Sequence, residues 1–80
     1  MTAQPIDRNR LQHAYSQVAD DLARRINEGE IICRLPAERA LAEEYEVSYI
    51  TVRHAMAILR ERSIVVSLHG RGTFVAASMS

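Results

Sequence analysis

Eighty residues, with ten basic side chains against ten acidic ones and no net charge, make one small domain whose core suffices for three helices and a hairpin and leaves no room for a second. Every basic residue is Arg, which excludes Schiff-base lysine chemistry and favours planar, bidentate contacts with phosphate or guanine. No apolar run approaches the roughly 20 residues of a membrane span and the first residues lack a secretory-signal pattern, so the expectation is a cytoplasmic protein with no membrane partner.

Residues 1 to 10 carry Pro5, scattered charges and no periodicity, and are expected to form a flexible N-terminal arm. From Leu11 the apolar positions Leu11, Tyr15, Val18, Ala19, Leu22 and Ile26 step by three and four, drawing one stripe down a helix. Asp20, Asp21, Arg24 and Arg25 are read as charge pairs on the opposite face, and Gly29 as the helix stop. A short connector, Glu30 to Arg34, follows. It contains the lone cysteine, Cys33, which has no disulfide or metal-ligand partner and reads as a buried or half-buried spectator in a reducing compartment.

A second helix is expected from Pro36 or Ala37, where proline in the first turn costs no hydrogen bond, burying Ala40, Leu41 and Tyr45. Ser48 can cap a third helix through the amide of Ile50 or Thr51. Val52, Ala55, Met56 and Leu59 then form its buried stripe, with Tyr49, Ile50, Arg53 and His54 exposed. Ile64 to Leu68 and Thr73 to Val75, rich in β-branched residues and joined by His69-Gly70-Arg71-Gly72, read as a hairpin. Residues 11 to 76 form the domain and 77 to 80 a tail.

The neutral total hides an uneven distribution. Residues 1 to 46 hold six Arg against nine acids, whereas residues 47 to 80 hold Arg53, Arg60, Arg62 and Arg71 against Glu61 alone. The basic half coincides with the third helix and the hairpin, so a neutral chain can still present a basic face. A short helix, a tight turn, a longer helix with an Arg one turn in and a Gly-rich hairpin make a surface that fits duplex DNA.

Three segments, Leu35-Pro36-Ala37-Glu38-Arg39, Val47-Ser48-Tyr49-Ile50-Thr51-Val52-Arg53 and His69-Gly70-Arg71-Gly72-Thr73-Phe74-Val75, stand in this order at helix-turn-helix and wing spacing. Together with Tyr15 to Glu30 they resemble the winged helix-turn-helix domain of the GntR family of bacterial transcription regulators. The resemblance implies a mainly α fold of three helices plus a two-stranded wing. It also shows departures: Ala at positions 37 and 40 where the family commonly has a Ser and Glu capping box, Glu46 and Ser63 where it often has Gly, and a shorter connector without Pro and Gly. A lost cap should cost about 1 kcal/mol, and Glu46 in a left-handed turn roughly 1 kcal/mol. Family members append a C-terminal domain that binds a metabolite and dimerises; here five residues follow Val75.

By the same resemblance Arg53 occupies the position that contacts a base, typically guanine; a bidentate contact to O6 and N7 gives about 1 to 3 kcal/mol of discrimination. Its alternative partner is Glu61. Arg39 matches the arginine that meets phosphate or base near the start of the second helix, with a salt bridge to Glu43 as the alternative. Tyr49 replaces an Arg of many relatives; it can bond phosphate or stack on sugar and methyl groups, or serve packing alone. Ile50 can touch a thymine methyl, and Ser48 and Thr51 can bond phosphates. His54 adds partial charge. At the wing tip His69, Gly70 and Arg71 suit a narrow minor groove, while Gly72 reads as hairpin geometry.

The function expected is a sequence-specific DNA-binding transcription regulator, a repressor, with the third helix in the major groove and the wing in the minor groove of an inverted-repeat operator. The alternative is a winged-helix protein-interaction module whose DNA face has decayed. No nucleophile and base pair, metal-ligand spacing or nucleotide loop points to an enzyme, a cofactor or a metal. With the apolar residues committed to one core, the free chain is expected to be a monomer or weak dimer that pairs as a homodimer on DNA.

Overall fold

A computed structural model describes residues 4–7 and 13–79. In chain order these form α1 (Ala14–Asn27), α2 (Glu38–Tyr45), α3 (Tyr49–Glu61), β1 (Val65–Leu68), β2 (Gly72–Val75) and a closing turn of 3-10 helix (Ala76–Met79). This is the expected three-helix fold with an antiparallel wing, registered from Val65 opposite Val75 to Leu68 opposite Gly72. Leu11, the first residue of the expected α1 stripe, lies outside the described residues.

The apolar stripes converge as their spacing requires. Val18 and Leu22 of α1, Leu41 of α2, and Val52, Met56 and Leu59 of α3 have no accessible surface, with Val65 closing the core from the hairpin. Each such side chain contributes about 1.5 to 3 kcal/mol of transfer free energy relative to exposure. Ala40 departs from expectation: it is exposed, and Ala42 packs against the core instead. The reason is phase, since α2 begins at Glu38, after Pro36, and its short inner face is set by Leu41 and Tyr45.

Helix ends follow local chemistry. Ser48 Oγ accepts the Thr51 amide at 3.1 Å and caps α3, whereas Ala37 gives α2 no side-chain cap. All three helices close alike. A left-handed residue, Gly29 (φ 81°), Glu46 (φ 55°) or Ser63 (φ 59°), is followed by a residue whose amide reaches back five positions, from Glu30 to Arg25, Val47 to Ala42 and Ile64 to Leu59. These bonds satisfy carbonyls that a helix end leaves open. Two of the three ends do so without glycine, as expected for Glu46 and Ser63, at a cost of roughly 1 kcal/mol each.

The charged residues of α1 are not all on its solvent side. Asp21 and Arg25 are buried, because they lie three and seven positions after Val18 and so flank the apolar stripe. The Tyr45 hydroxyl donates to Asp21 Oδ2 at 2.5 Å, and Arg25 donates to Tyr45 Oη (3.3 Å), Glu44 (2.9 Å) and Glu30 (2.8 Å). Burial and the bond to Asp21 push the Tyr45 hydroxyl above its ordinary pKa. Burial pulls Arg25 down, but the bonds to Tyr45, Glu44 and Glu30 more than reverse it. This network ties α1 to α2, while α1 and α3 meet through apolar packing, a stack of Tyr15 on His54 and an exposed pair of Arg62 with Asp20 at 3.4 Å.

The connector does more than span a gap. Leu35 donates its amide to Thr73 O (2.9 Å), and Val75 donates to Cys33 O (2.6 Å), with Arg34 bridged to Phe74. Strand β2 therefore has β1 on one side and the connector on the other. That extended path turns Cys33 outward, so the cysteine is exposed rather than buried. Ahead of α1, Ile6 packs against the core, and Asp7 exchanges two hydrogen bonds with the Gln17 side chain (2.9 and 3.0 Å).

Candidate nucleic-acid interface

The start of α3 projects its side chains because Val52, Ala55 and Met56 hold the opposite face in the core. Tyr49 and Ile50 are exposed, Ile50 to 76 %, an unusual placement for a large aliphatic group and one that leaves it available to an apolar contact. The Tyr49 ring is met by two guanidinium groups: Arg39 from α2 lies 5.3 Å from its centroid and Arg53, one turn on in α3, 5.7 Å. Such stacking holds arginines in place without neutralising their charge. The tight turn at Glu46 and Val47 is what brings Arg39 of α2 to the foot of α3.

Arg53 approaches Glu38 Oε1 at 4.0 Å, with 65 % of its side chain exposed. Its alternative partner Glu61 is not the one it meets, and Arg39 meets Tyr49 rather than Glu43. Ser48 Oγ and Thr51 Oγ1 are 2.9 Å apart; one shared bond uses one of their two hydroxyl protons and leaves the other to donate outward. His54 is turned away from this cluster toward α1, its ring stacked on Tyr15 at 3.9 Å.

At the wing, Arg71 donates its amide to Leu68 O at 2.9 Å and closes the turn. His69, Gly70 and Arg71 are all exposed there. Gly70 has φ 74° with open space around a would-be Cβ, so glycine is needed for the backbone and not for room. Between this tip and the start of α2 runs a cleft of about 710 Å³, walled by Leu35 to Glu38 on one side and by Leu68 and Gly70 to Thr73 on the other. Through Glu38 it adjoins Arg53, so helix, turn and wing residues share one surface.

Arg34 also lines this cleft. Nothing in the sequence marks it, because it sits in a connector with no periodicity; the one signal toward it is the glycine at position 72, against which its side chain lies. Among the described residues no group of three or more His, Cys, Asp or Glu gathers to hold a metal ion, and no helix is long and apolar enough to cross a membrane.

The family model described as bacterial regulatory proteins, gntR family, matches residues 14–75. Over 63 residues the chain is 43% identical to the mannosyl-D-glycerate transport/metabolism system repressor MngR of Escherichia coli (strain K12), covering 76% of this chain and 26% of that protein. It is 39% identical over 64 residues to the HTH-type transcriptional repressor NagR of Bacillus subtilis (strain 168), covering 78% and 26%. The chain thus spans about a quarter of the length of these relatives. Among solved structures, the AraR DNA-binding domain in complex with operator ORX1 superposes with a TM-score of 0.83 at 29% identity, over 95% of this chain and 99% of that one. YtrA from Sulfolobus acidocaldarius, a GntR-family transcription factor, gives 0.82 at 28% identity, over 94% and 80%.

Proposed function

The chain belongs to the gntR family of bacterial regulatory proteins, and from that premise we propose that it is the sequence-specific DNA-binding unit of a cytoplasmic transcription repressor. The observation that carries this reading is the Arg39–Tyr49–Arg53 cluster on the exposed face of the α2–α3 pair, continuous with an exposed wing. The names of the quoted relatives, repressors rather than enzymes, and the operator bound to the AraR domain support it.

In this reading the first turns of α3 enter the major groove. Arg53 leaves Glu38 to clamp guanine, Ile50 meets a thymine methyl, and Arg39, Tyr49, Ser48 and Thr51 hold phosphates on either side. His54 stays stacked on Tyr15 of α1, away from these contacts. The wing lays His69, Gly70 and Arg71 along the minor groove, where close backbone approach at Gly70 and the Arg71 cation suit its narrow, negative floor. Two copies occupy the halves of an inverted-repeat operator.

Selection of bound sequences from a random duplex library tests this. The expected outcome is an enriched inverted repeat, bound with an affinity that falls steeply as salt rises. Absence of both enrichment and salt dependence would overturn it in favour of a protein-interaction module.

A further inference from the structure

The wing cleft holds a cation whose position is built rather than incidental. Arg34 is fixed at its backbone by the bridge to Phe74, and its guanidinium lies on the face of Gly72: a Cβ there would stand 3.0 Å from Nε and 3.1 Å from Nη2. The Phe74 ring centroid is 6.0 Å from the guanidinium carbon on the same side. Arg34 itself is exposed. None of the salt bridges among the described residues includes it: Glu30 is engaged with Arg25 and Glu38 faces Arg53. The side chain lies along Gly72 and Phe74, and its guanidinium, engaged in none of these ion pairs, opens onto the cleft.

On the reading that this chain binds duplex DNA, we infer that Arg34 is a positioning residue of that interface, a phosphate clamp in the cleft between wing and α2. It acts with Arg71 at the tip, so that the backbone of one strand passes between two cations set on either side of Gly72. Gly72 then has two roles: its φ of 114° shapes the wing, and its bare Cα seats the clamp. A contact of this kind carries no base information; it fixes the depth and angle at which the wing meets the duplex.

Titration of the 80-residue chain against a fluorescein-labelled duplex of mixed sequence, over a series of salt concentrations, tests the inference with wild type, Arg34→Ala and Arg34→Lys. Loss of one phosphate contact lowers the slope of log affinity against log salt by about 0.9. Arg34→Ala should show that drop, equally on the mixed duplex and on a selected operator, with an unchanged melting temperature, and Arg34→Lys should restore the slope. An unchanged slope in Arg34→Ala, where wild type binds with steep salt dependence, overturns the clamp and leaves the DNA-binding reading standing. A lowered melting temperature with an unchanged slope makes Arg34 structural and overturns it too. A wild type that binds no duplex overturns both.

Discussion

Arg53 is tied down lightly. Its pairing with the half-buried Glu38 is long, at 4.0 Å, and its own side chain is mostly exposed; loose pairs at the surface contribute about 0 to 1 kcal/mol, so exchanging Glu38 for guanine costs little. The Tyr49 ring meanwhile keeps the guanidinium near the start of α3 rather than letting it wander. Arg53→Ala should therefore remove about 1 to 3 kcal/mol of discrimination between the selected operator and a scrambled duplex, while leaving the melting temperature unchanged. Fluorescence anisotropy on the two duplexes measures the ratio; the same ratio in wild type and variant would assign base readout elsewhere. Arg53 was legible from its place one turn after the cap at Ser48. Its link to Glu38 was not, because that depends on how α2 crosses α3.

At the level of elements, α2 is the weakly specified helix. It has eight residues, no side-chain cap and a left-handed Glu46 at its end. Ala37→Ser places an acceptor at the cap and should raise stability by about 0.5 to 2 kcal/mol, seen as a higher midpoint in chemical denaturation at constant slope. Besides the packing of Leu41 and Tyr45 in the core, α2 is held by the polar network with α1. Tyr45→Phe strips Asp21 and Arg25 of a buried partner and should cost about 1 to 3 kcal/mol. The pH dependence has a definite sign. The hydroxyl titrates higher folded than unfolded, so its contribution is complete below about pH 10, the ordinary tyrosine value, and is lost as pH climbs further. Wild-type stability should decline on that alkaline limb and Tyr45→Phe should decline less, as denaturation midpoints across pH would record; parallel declines would contradict the assignment. The α3 stripe and the hairpin were readable from periodicity and turn residues, whereas this network was not: Asp21 and Arg25 look like solvent charges until Tyr45 arrives from another helix to pair with them.

Taken whole, the molecule has committed its apolar residues. Of the large ones described, Ile32, Tyr49 and Ile50 are the exposed ones; the last two belong to the proposed DNA face, and Ile32 alone falls far short of the about 1,000 Å² that a specific interface buries. The free chain should sediment as a monomer or weak dimer at micromolar concentration and pair on an inverted repeat; a stable dimer without DNA would contradict this. Charge was legible at this scale as an imbalance between halves, though not that the connector would bring Arg34 from the acidic half into the wing.

The pairing of that connector with β2 also bears on the order in which the chain folds. The bridge from Arg34 to Phe74 closes a loop of about 40 residues for a few backbone bonds, while β1 and β2 meet across a tight turn, and loop-closure entropy favours the local event. The outer edge of the wing is then a late contact. Leu35→Ala keeps those backbone bonds but removes the buried side chain that anchors this edge in the core; it should speed unfolding and leave the refolding rate almost unchanged in a chevron, and slowed refolding would put the edge in the nucleus. An interface surface completed last is also the one whose loss leaves the helical core assembled.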